Sequence, residues 1–523
     1  MNNNLNENLT LSFEEAKAAR QRMQYERLLE ALPRLGEETV KALGEFYSIY
    51  DEKLYIWLAG LWQPEIGGFY YSNSARDTED FLPDIESTAQ ALGFMGHSGL
   101  LSAWGGDACA ALPEKCKRSL VSFAKGLQDA DDGYFYHPQW GKNIGLGRRG
   151  RDYDRALILL GRAKREPKYP TLANTNGDAE NANTLIPDHM KTLEAFREYL
   201  DSLDVDHRSY NAASVLNSQM NQLRARGQEY LDAVYEHFNA HQREDNGIWH
   251  EKCDYYGSNG VMKVVCNYTA QERPVPRPEM VMRSAIEAIM SPEEPDSIVT
   301  VWNPWVTVRR LIINVEQFHS HELAEKIKKE MYKLAPEAIR ITKEKTLKFK
   351  KPDGSFSWGQ KYSSTTSQGC PVAVPNSIEG DINATVIGYS GTIGNFMHAI
   401  GYKKVAPLGK RELHIYLTTL ENLGTIVKED SINIGEAFDF EGSAIDSQPG
   451  EFSTKLGDGS SALVAVDPVD EDNKVLHLVS KPGNGDTLYI PNTVGMEGSC
   501  QVFTGDFYVS SNTSKTYFMQ ITM

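Results

Sequence analysis

The stretch WQPEIGGFYY, residues 62–71, contains a phrase that recurs along the chain: a glutamine, a glycine five residues later, and an aromatic residue two positions after the glycine. Further copies are QDADDGYFY at 128–136 and QREDNGIWH at 242–250, and a weaker copy, FKKPDGSFSWG at 349–359, has phenylalanine at the glutamine position. The glycines Gly68, Gly133, Gly247 and Gly354 are separated by 65, 114 and 107 residues. The last two gaps are each close to two units of about 55 residues, so degenerate copies are expected near residues 190 and 303. The spacing therefore predicts six helical hairpins.

An apolar segment follows each turn after a polar loop, as a buried helix requires. These segments begin at residues 85, 153, 189, 260, 304 and 384. Segments that precede the turns, such as QEYLDAVYEHFNAHQ, are charged on one face. The alternation predicts an inner ring of apolar helices inside an outer ring of amphipathic helices. We expect each repeat glutamine to tie the end of a helix to the chain that follows.

Three regions follow from the change of pattern along the chain. Residues 1–39 are predicted to be an N-terminal helical extension, and residues 40–428 the helical ring. From 429 to 523, short alternating stretches such as SALVAVDP and KVLHLVSK predict a smaller antiparallel β-sandwich of the jelly-roll type. Its last strand reaches Met523 with no closing turn, so we expect the sandwich to be incomplete. The fold class is therefore mainly α.

Composition excludes several classes of function. The chain has 54 basic and 71 acidic residues and a net charge of −17, which disfavours a nucleic-acid partner. It has no apolar run of membrane-spanning length and no apolar signal segment, so we expect a cytoplasmic protein, or a secreted one whose leader is absent from this sequence. Six cysteines occur without CxxC spacing, so neither a disulfide framework nor a structural zinc site is predicted, and no metal or cofactor is expected.

The repeated turns resemble those of the (α/α)6-toroid superfamily, which includes terpene cyclases, protein prenyltransferases and many carbohydrate-active enzymes. The run CQVFTGDFYVSS is similar to part of a laminin-G or concanavalin-like β-sandwich. A cyclase-like DxDD motif is present at Asp129, Asp131 and Asp132, but it lies inside a repeat turn, where a solvated role fits better. The zinc-ligand pattern of prenyltransferases is absent. The resemblance therefore implies the carbohydrate-active branch, with a poly- or oligosaccharide as substrate.

Toroid enzymes of this kind form their active site where the inner helices begin, so the loops leading into those helices supply the candidates. Exposed aromatic rings stack on sugars, and arginines in an acidic chain indicate an anionic ligand. The candidates for substrate binding are Arg76, Glu86, Gln139, Trp140, Arg148, Arg149, Arg151, Asn259, Lys263, Trp305 and Trp358. The candidates for catalysis are His137, Asn143, His250, Tyr255, Tyr256, Glu379 and Asp381.

Two chemistries fit these residue types. A polysaccharide lyase neutralises a uronate carboxylate, removes the C5 proton and protonates the leaving oxygen. In that mechanism Tyr256, with Tyr255 in reserve, would protonate the leaving oxygen, His250 or His137 would be the base, and Asn143 would assist at the carboxylate. The sequence favours this mechanism.

An inverting glycoside hydrolase is the alternative, with Glu86 or Asp84 on the first inner helix facing Glu379 or Asp381 on the last. Such enzymes hold two carboxylates ~6.5–9.5 Å apart. A glycan-binding protein without catalytic activity is the second alternative.

Overall fold

In a computed structural model the described residues form two compact units, one spanning 13–423 and the other 443–489. The structure describes residues 13–50, 52–97, 101, 104–171, 186–252, 254–402, 407–423, 443–448, 453–466, 474–479 and 487–489. The first twelve residues of the predicted extension and the strands predicted beyond 490 lie outside these ranges. Within them the protein is mainly helical, and each sheet has two strands. No helix in the described ranges combines the length and the apolar character needed to cross a membrane.

The first half of the larger unit alternates helices with short turns. Its elements are α1 Phe13–Leu29, α2 Leu32–Leu35, α3 Glu37–Tyr47, α4 Lys53–Gly60, β1 Trp62–Gln63, β2 Gly68–Phe69, α5 Asn73–Arg76, α6 Ile85–His97, α7 Ala108–Ala111, α8 Glu114–Gly126 and α9 Leu146–Arg162.

The second half repeats this alternation. Its elements are a 3-10 turn Asp188–Met190, α10 Leu193–Asp201, α11 Val205–Ser218, α12 Met220–Arg226, α13 Gln228–His241, α14 Tyr255–Ala270, α15 Pro278–Met290, α16 Ile298–Phe318, α17 His321–Leu347, β3 Thr366–Ser367, β4 Cys370–Pro371, α18 Ile382–Val386, a π-helical segment Ile387–Gly391, α19 Thr392–Ala399 and α20 Lys410–Leu423.

Two of the three repeat glutamines hold their turns together, as predicted. The Gln128 amide donates to the carbonyls of Gly133 (3.2 Å) and Tyr169 (3.0 Å), and Gln128 Oε1 accepts from the Tyr169 N–H at 2.8 Å. Gln242 repeats this arrangement with the carbonyls of Gly247 and Pro276, both at 2.8 Å. The tie between a helix end and the following chain is confirmed for these two turns.

The turn glycines adopt a left-handed backbone. Gly133, Gly247 and Gly354 have φ of 70°, 74° and 82°, which strongly favours glycine. In the first copy the left-handed position is Gly67, with φ 92°, one residue before the predicted Gly68.

Six helical segments contact one another in sequence. Helix α6 contacts α9, α9 contacts α11, α11 contacts α14, and α14 contacts α16. Helix α16 contacts the π-helical segment and α19, and both α18 and the π-helical segment contact α6. Further helices lie outside this set. The amphipathic helices α3 and α17 contact each other, α17 contacts α15, and the apolar helix α4 contacts α20.

Two sequence predictions are wrong within this arrangement. The apolar segment beginning at His189 forms the 3-10 turn and α10, which contacts α13, and α11 lies between α9 and α14 in its place. Small residues explain why α11 lies beside α14 in place of the predicted helix. A Cβ on Gly260 of α14 would lie 1.9 Å from Ser209 Oγ of α11, so only glycine lets the two helices approach this closely. The degenerate turn predicted near 303 is helical, since Asn303 lies inside α16.

Helix α1 is anchored to helices from both ends of the larger unit. Arg20 is buried and pairs with Glu52 at 3.2 Å and with Glu412 at 3.0 Å. Gln24 donates to the carbonyl of Pro407 at 2.6 Å. These contacts join the chain before α4 to the first turn of α20.

The smaller unit contains two antiparallel strand pairs. Strand β5, Ser453–Lys455, pairs with β8, Thr487–Tyr489, and β6, Ser461–Val466, pairs with β7, Lys474–Val479. Alternation in β6 buries Ala462 and Val464. All four strands fall on segments that the sequence predicts to be extended.

Candidate functional site

Several of the six segments expose a stripe of residues while the rest of their surface is buried. On α14 the partly exposed residues after the first turn are Asn259, Lys263, Cys266, Thr269 and Ala270. All except Thr269 are spaced by four, three and four positions, so they lie on one face. Helix α9 shows the same pattern at Arg151, Asp154, Arg155 and Ile158.

Contacts between segments bring these faces together. Lys263 Nζ lies 5.6 Å from the ring centre of Tyr210 on α11, and Asn259 Oδ1 accepts from Asn303 Nδ2 at 2.6 Å. Gln90 donates to Asn383 Oδ1 at 3.1 Å. We use the name inner channel for this set of residues on adjacent helices, and define it by Gln90, Arg151, Tyr210, Asn259, Lys263, Asn303 and Asn383.

A buried ionic cluster lies where α6 and α9 begin. Arg148 is fully buried and contacts Asp84 at 2.8 Å, Asp152 at 2.9 Å and Glu86 at 3.6 Å. Burial alone would lower the pKa of Arg148, but these carboxylates raise it. Burial raises the pKa of Asp152 to about 7. Arg148 therefore joins the beginnings of α6 and α9, and its guanidinium has no nitrogen left to bind a substrate.

Glu86 connects this cluster to the inner channel. It pairs with Arg151 and accepts from Ser367 Oγ at 3.2 Å and from Gln90 Nε2 at 3.2 Å. Burial would raise the pKa of Glu86, but Arg151 and Arg148 lower it to about 2. Glu86 is therefore ionised and occupied by its partners.

The other two predicted arginines differ from Arg148. The Arg149 guanidinium lies 4.8 Å from the ring centre of Tyr134. Arg151 keeps 17% of its side chain exposed, and its Nε is buried with no hydrogen-bond partner among the described residues. Of the three, Arg151 best meets the expectation of an arginine available to an anion.

His137 and Trp140 form part of the wall beside the ionic cluster. Their rings stack with centres 4.2 Å apart, and the Arg148 guanidinium lies 4.4 Å from the Trp140 ring centre. His137 Nε2 lies 3.1 Å from the Pro83 carbonyl, and His137 Nδ1 accepts from the Gln139 N–H at 3.3 Å. Burial lowers the pKa of His137. Both ring nitrogens are engaged, so this geometry favours a packing role over the role of base.

The two carboxylates predicted on the last hairpin are bound to backbone groups. Asp381 is fully buried and caps α18, because Oδ1 accepts from the Ala384 N–H and Oδ2 from the Trp358 N–H, both at 2.8 Å. Burial raises the pKa of Asp381 to about 6. Glu379 accepts from the N–H of Ser74 at 2.8 Å and from its Oγ at 2.5 Å. Both carboxylates tie loops together.

The fourth predicted segment leads into α14. Tyr256 is 74% exposed in the first turn and precedes Asn259 and Lys263 by three and seven positions, which places it on the channel face. His250 is half-buried, with Nδ1 3.2 Å from the Lys252 carbonyl. The side chain of Tyr255 lies outside the described part of the structure.

The remaining candidates are either buried in the core or at least partly exposed. Trp305 is fully buried and donates to Thr342 Oγ1 at 2.9 Å, so it is a core residue and not a substrate contact. Trp358 is half-buried, while Gln139 and Asn143 are exposed. Arg76 pairs with its neighbour Asp77 at 2.6 Å.

Tyr210, Arg155 and Gln90 were missed by the sequence prediction, because it searched the loops and these residues lie inside helices. Burial and Arg151 lower the pKa of Arg155, and they lower the pKa of Lys263 to about 8. The available signal was a polar residue at every third or fourth position of an otherwise apolar helix.

One group of possible metal ligands lies apart from the channel, among the described residues. It comprises Glu316, His321 and Glu325, and both glutamates are already paired with Lys328. The lysine supplies the positive charge there, so we assign no site to this group.

The sequence has no significant match to a protein-family model, and comparison with curated proteins and with solved structures finds no significant match. An assignment of function therefore depends on the chemistry of these residues.

Proposed function

We propose that this chain is a carbohydrate-active enzyme with an (α/α)6-toroid domain, and that it cleaves acidic glycans by β-elimination. The closed order of contacts among the six inner segments, with amphipathic helices outside them, supports the toroid. The antiparallel strand pairs of the smaller unit fit a lectin-like β-sandwich.

The observation that carries the proposal is the excess of positive charge along the inner faces. Arg151, Arg155, Lys263 and Arg309 lie on these faces, while the nearby carboxylates are Glu86 and Asp154. Burial lowers the pKa of Arg155 and Lys263, and the positive charge of Arg151 lowers both further. Arg155 and Lys263, whose pKa values a neighbouring cation lowers, have little local counter-charge, and an anionic substrate would supply it.

The arrangement provides the groups that elimination needs. The exposed part of the Arg151 guanidinium can donate to a uronate carboxylate, and an amide such as Asn259 can assist. The exposed Tyr256 hydroxyl, at the end of α14 where the channel opens, can protonate the leaving oxygen. Half-buried Trp140 and Trp358 offer rings on which sugars stack.

An inverting glycoside hydrolase is the second candidate, because two carboxyl groups on these helices differ strongly in pKa. Burial raises the pKa of Asp154 to about 6, whereas that of Glu86 is lowered to about 2. Such a split suits an acid and a base. Glu86, however, is occupied by two arginines, Ser367 and Gln90, which leaves it poorly placed to activate water.

A panel of uronic-acid and neutral polysaccharides tests the proposal. Elimination produces an unsaturated sugar that absorbs in the near ultraviolet, and hydrolysis produces reducing ends without that absorbance. We expect absorbance from at least one acidic glycan and none from neutral ones. Reducing ends alone would indicate the hydrolase, and binding without cleavage of any glycan would indicate a glycan-binding protein.

A further inference from the structure

Lys263 lies on the channel face of α14, two helical turns from Tyr256. Asn259 precedes it by one turn, Cys266 follows it by one turn, and the Tyr210 ring covers it from α11. The rest of this part of the helix is buried against its neighbours, since Val261, Met262, Val264 and Val265 are all in the core. Lys263 therefore lies on the only face of this part of the helix that is not packed in the core.

The charges around Lys263 are mostly positive. Among the described residues, no carboxylate lies within ion-pairing distance of its Nζ. Arg151 and Arg155 on α9 oppose its protonation, while Cys266 and the more distant Glu86 favour it. Arg309 on α16 faces Cys266. Burial, Arg151 and Arg155 together lower the pKa of Lys263 to about 8, so about a tenth of the molecules carry a neutral amine at pH 7.

We infer that the neutral amine of Lys263 is the base that removes the C5 proton of a uronate held by Arg151, an inference that rests on the proposed function. The C5–H bond breaks, its proton moves to Nζ, and its electron pair forms the C4–C5 double bond. As that double bond forms, the C4–O bond breaks, and the leaving oxygen takes a proton from the Tyr256 hydroxyl. Afterwards the Lys263 ammonium returns its proton to solvent, and the tyrosine is reprotonated.

Lys263 suits this role better than the two histidines first considered. Both ring nitrogens of His137 are engaged by backbone groups, and the ring is buried beneath Trp140. His250 lies in the loop before α14, close to the Lys252 carbonyl. Lys263 has no such hydrogen bond among the described residues, and it lies beside the arginine that would fix the carboxylate.

The pH dependence of kcat/KM provides the test, with Lys263→Arg, Lys263→Gln and the matched control Lys345→Arg. Lys345 is an outer-helix lysine whose pKa burial also lowers to about 8. We expect the wild type to gain activity as pH rises through about 8. Both Lys263 variants should lose ~10²-fold or more, and Lys263→Arg should still bind the glycan, because it keeps the charge. The control should retain the wild-type profile.

A second measurement uses the wild-type protein, in case the variants do not fold. Trace acetylation across pH, read peptide by peptide in a mass spectrometer, reports how readily each lysine loses its proton. We expect an acidic glycan to protect Lys263 and to leave Lys345 unprotected.

Full activity of Lys263→Arg, or acetylation of Lys263 unaffected by the glycan, would overturn its role while leaving the lyase intact. Wild-type protein that forms no unsaturated product from any acidic glycan would overturn both the proposed function and the role of Lys263.

Discussion

At the scale of single residues, three arginines within four positions have three different environments. A cluster of arginines in an acidic chain predicts an anion-binding segment, but the cluster alone cannot tell which guanidinium is available to a ligand. That depends on Asp84 and Glu86, more than sixty residues earlier, which α6 brings against α9. Sequence spacing does not encode such a contact, so Arg148 was assigned to the substrate although it is a buried structural group.

Arg151→Lys should weaken the binding of an acidic glycan at least tenfold, because lysine binds a carboxylate without the paired geometry of arginine. Its melting temperature should fall only slightly, since lysine can retain the ion pair with Glu86. Arg149→Lys is the matched control and should bind normally, because Arg149 packs on Tyr134. Calorimetry with a uronic-acid oligosaccharide measures both, and equal affinity of the two variants would count against Arg151.

Glu86→Gln should destabilise the protein by about 3–5 kcal/mol at neutral pH, because it leaves two buried arginines short of a partner. The folded pKa of Glu86, about 2, is below its ordinary value, so its stabilisation is present above pH 4.5 and is lost as pH falls toward 2. The variant should therefore lose less stability than the wild type over that interval.

Denaturant unfolding between pH 7 and the lowest pH at which the protein stays folded measures this difference. Glu294→Gln is the control, because Glu294 is paired with Lys348 at the surface and should change stability little. An unchanged stability of Glu86→Gln at pH 7 would show that the ionic cluster is not a structural centre.

At the scale of elements, local patterns predicted the turns and most of the buried helices. The glutamine–glycine turns are recognisable because a single residue pair satisfies their geometry, and α6, α14 and α16 are apolar over several turns. The sequence does not predict α11 as a buried helix, because its buried face consists largely of Ala212, Ala213 and other small or polar residues. Its place depends on close packing against Gly260 of α14, a contact between distant segments.

Gly247→Ala should destabilise the third turn by about 1–3 kcal/mol, because alanine is strained at φ 74°. Its Cβ would also lie 2.5 Å from Met280 Cβ on α15. Gly161→Ala in α9 is the control: a Cβ there meets nothing within 4 Å, and alanine favours a helix. Thermal unfolding compares the two, and a loss of stability in the control equal to that of Gly247→Ala would contradict this account of the turn.

At the scale of the whole molecule, α1 decides how the ends of the helical unit are joined. The sequence predicts an N-terminal helical extension, and its polar helix gives no sign that one arginine is buried. Arg20 contacts Glu52, before α4, and Glu412, in the first turn of α20, so it links segments 360 residues apart. Helix α20 also contacts α4 and α8, which places this ion pair where the first and last helices of the unit meet.

Arg20→Gln should destabilise the helical unit by about 3–5 kcal/mol, because it leaves Glu412 buried without its cation. Glu52 and Glu412 would then lie close together without the cation that contacts both of them. Arg22→Gln, at an exposed position of the same helix, is the control and should change stability by less than about 0.5 kcal/mol. Denaturant unfolding at neutral pH measures both variants. We expect the backbone amides of α20 to exchange hydrogen faster in Arg20→Gln than in the wild type or in the control. If α1 were an independent extension, Arg20→Gln would behave like the control, and hydrogen exchange in α20 would be unchanged.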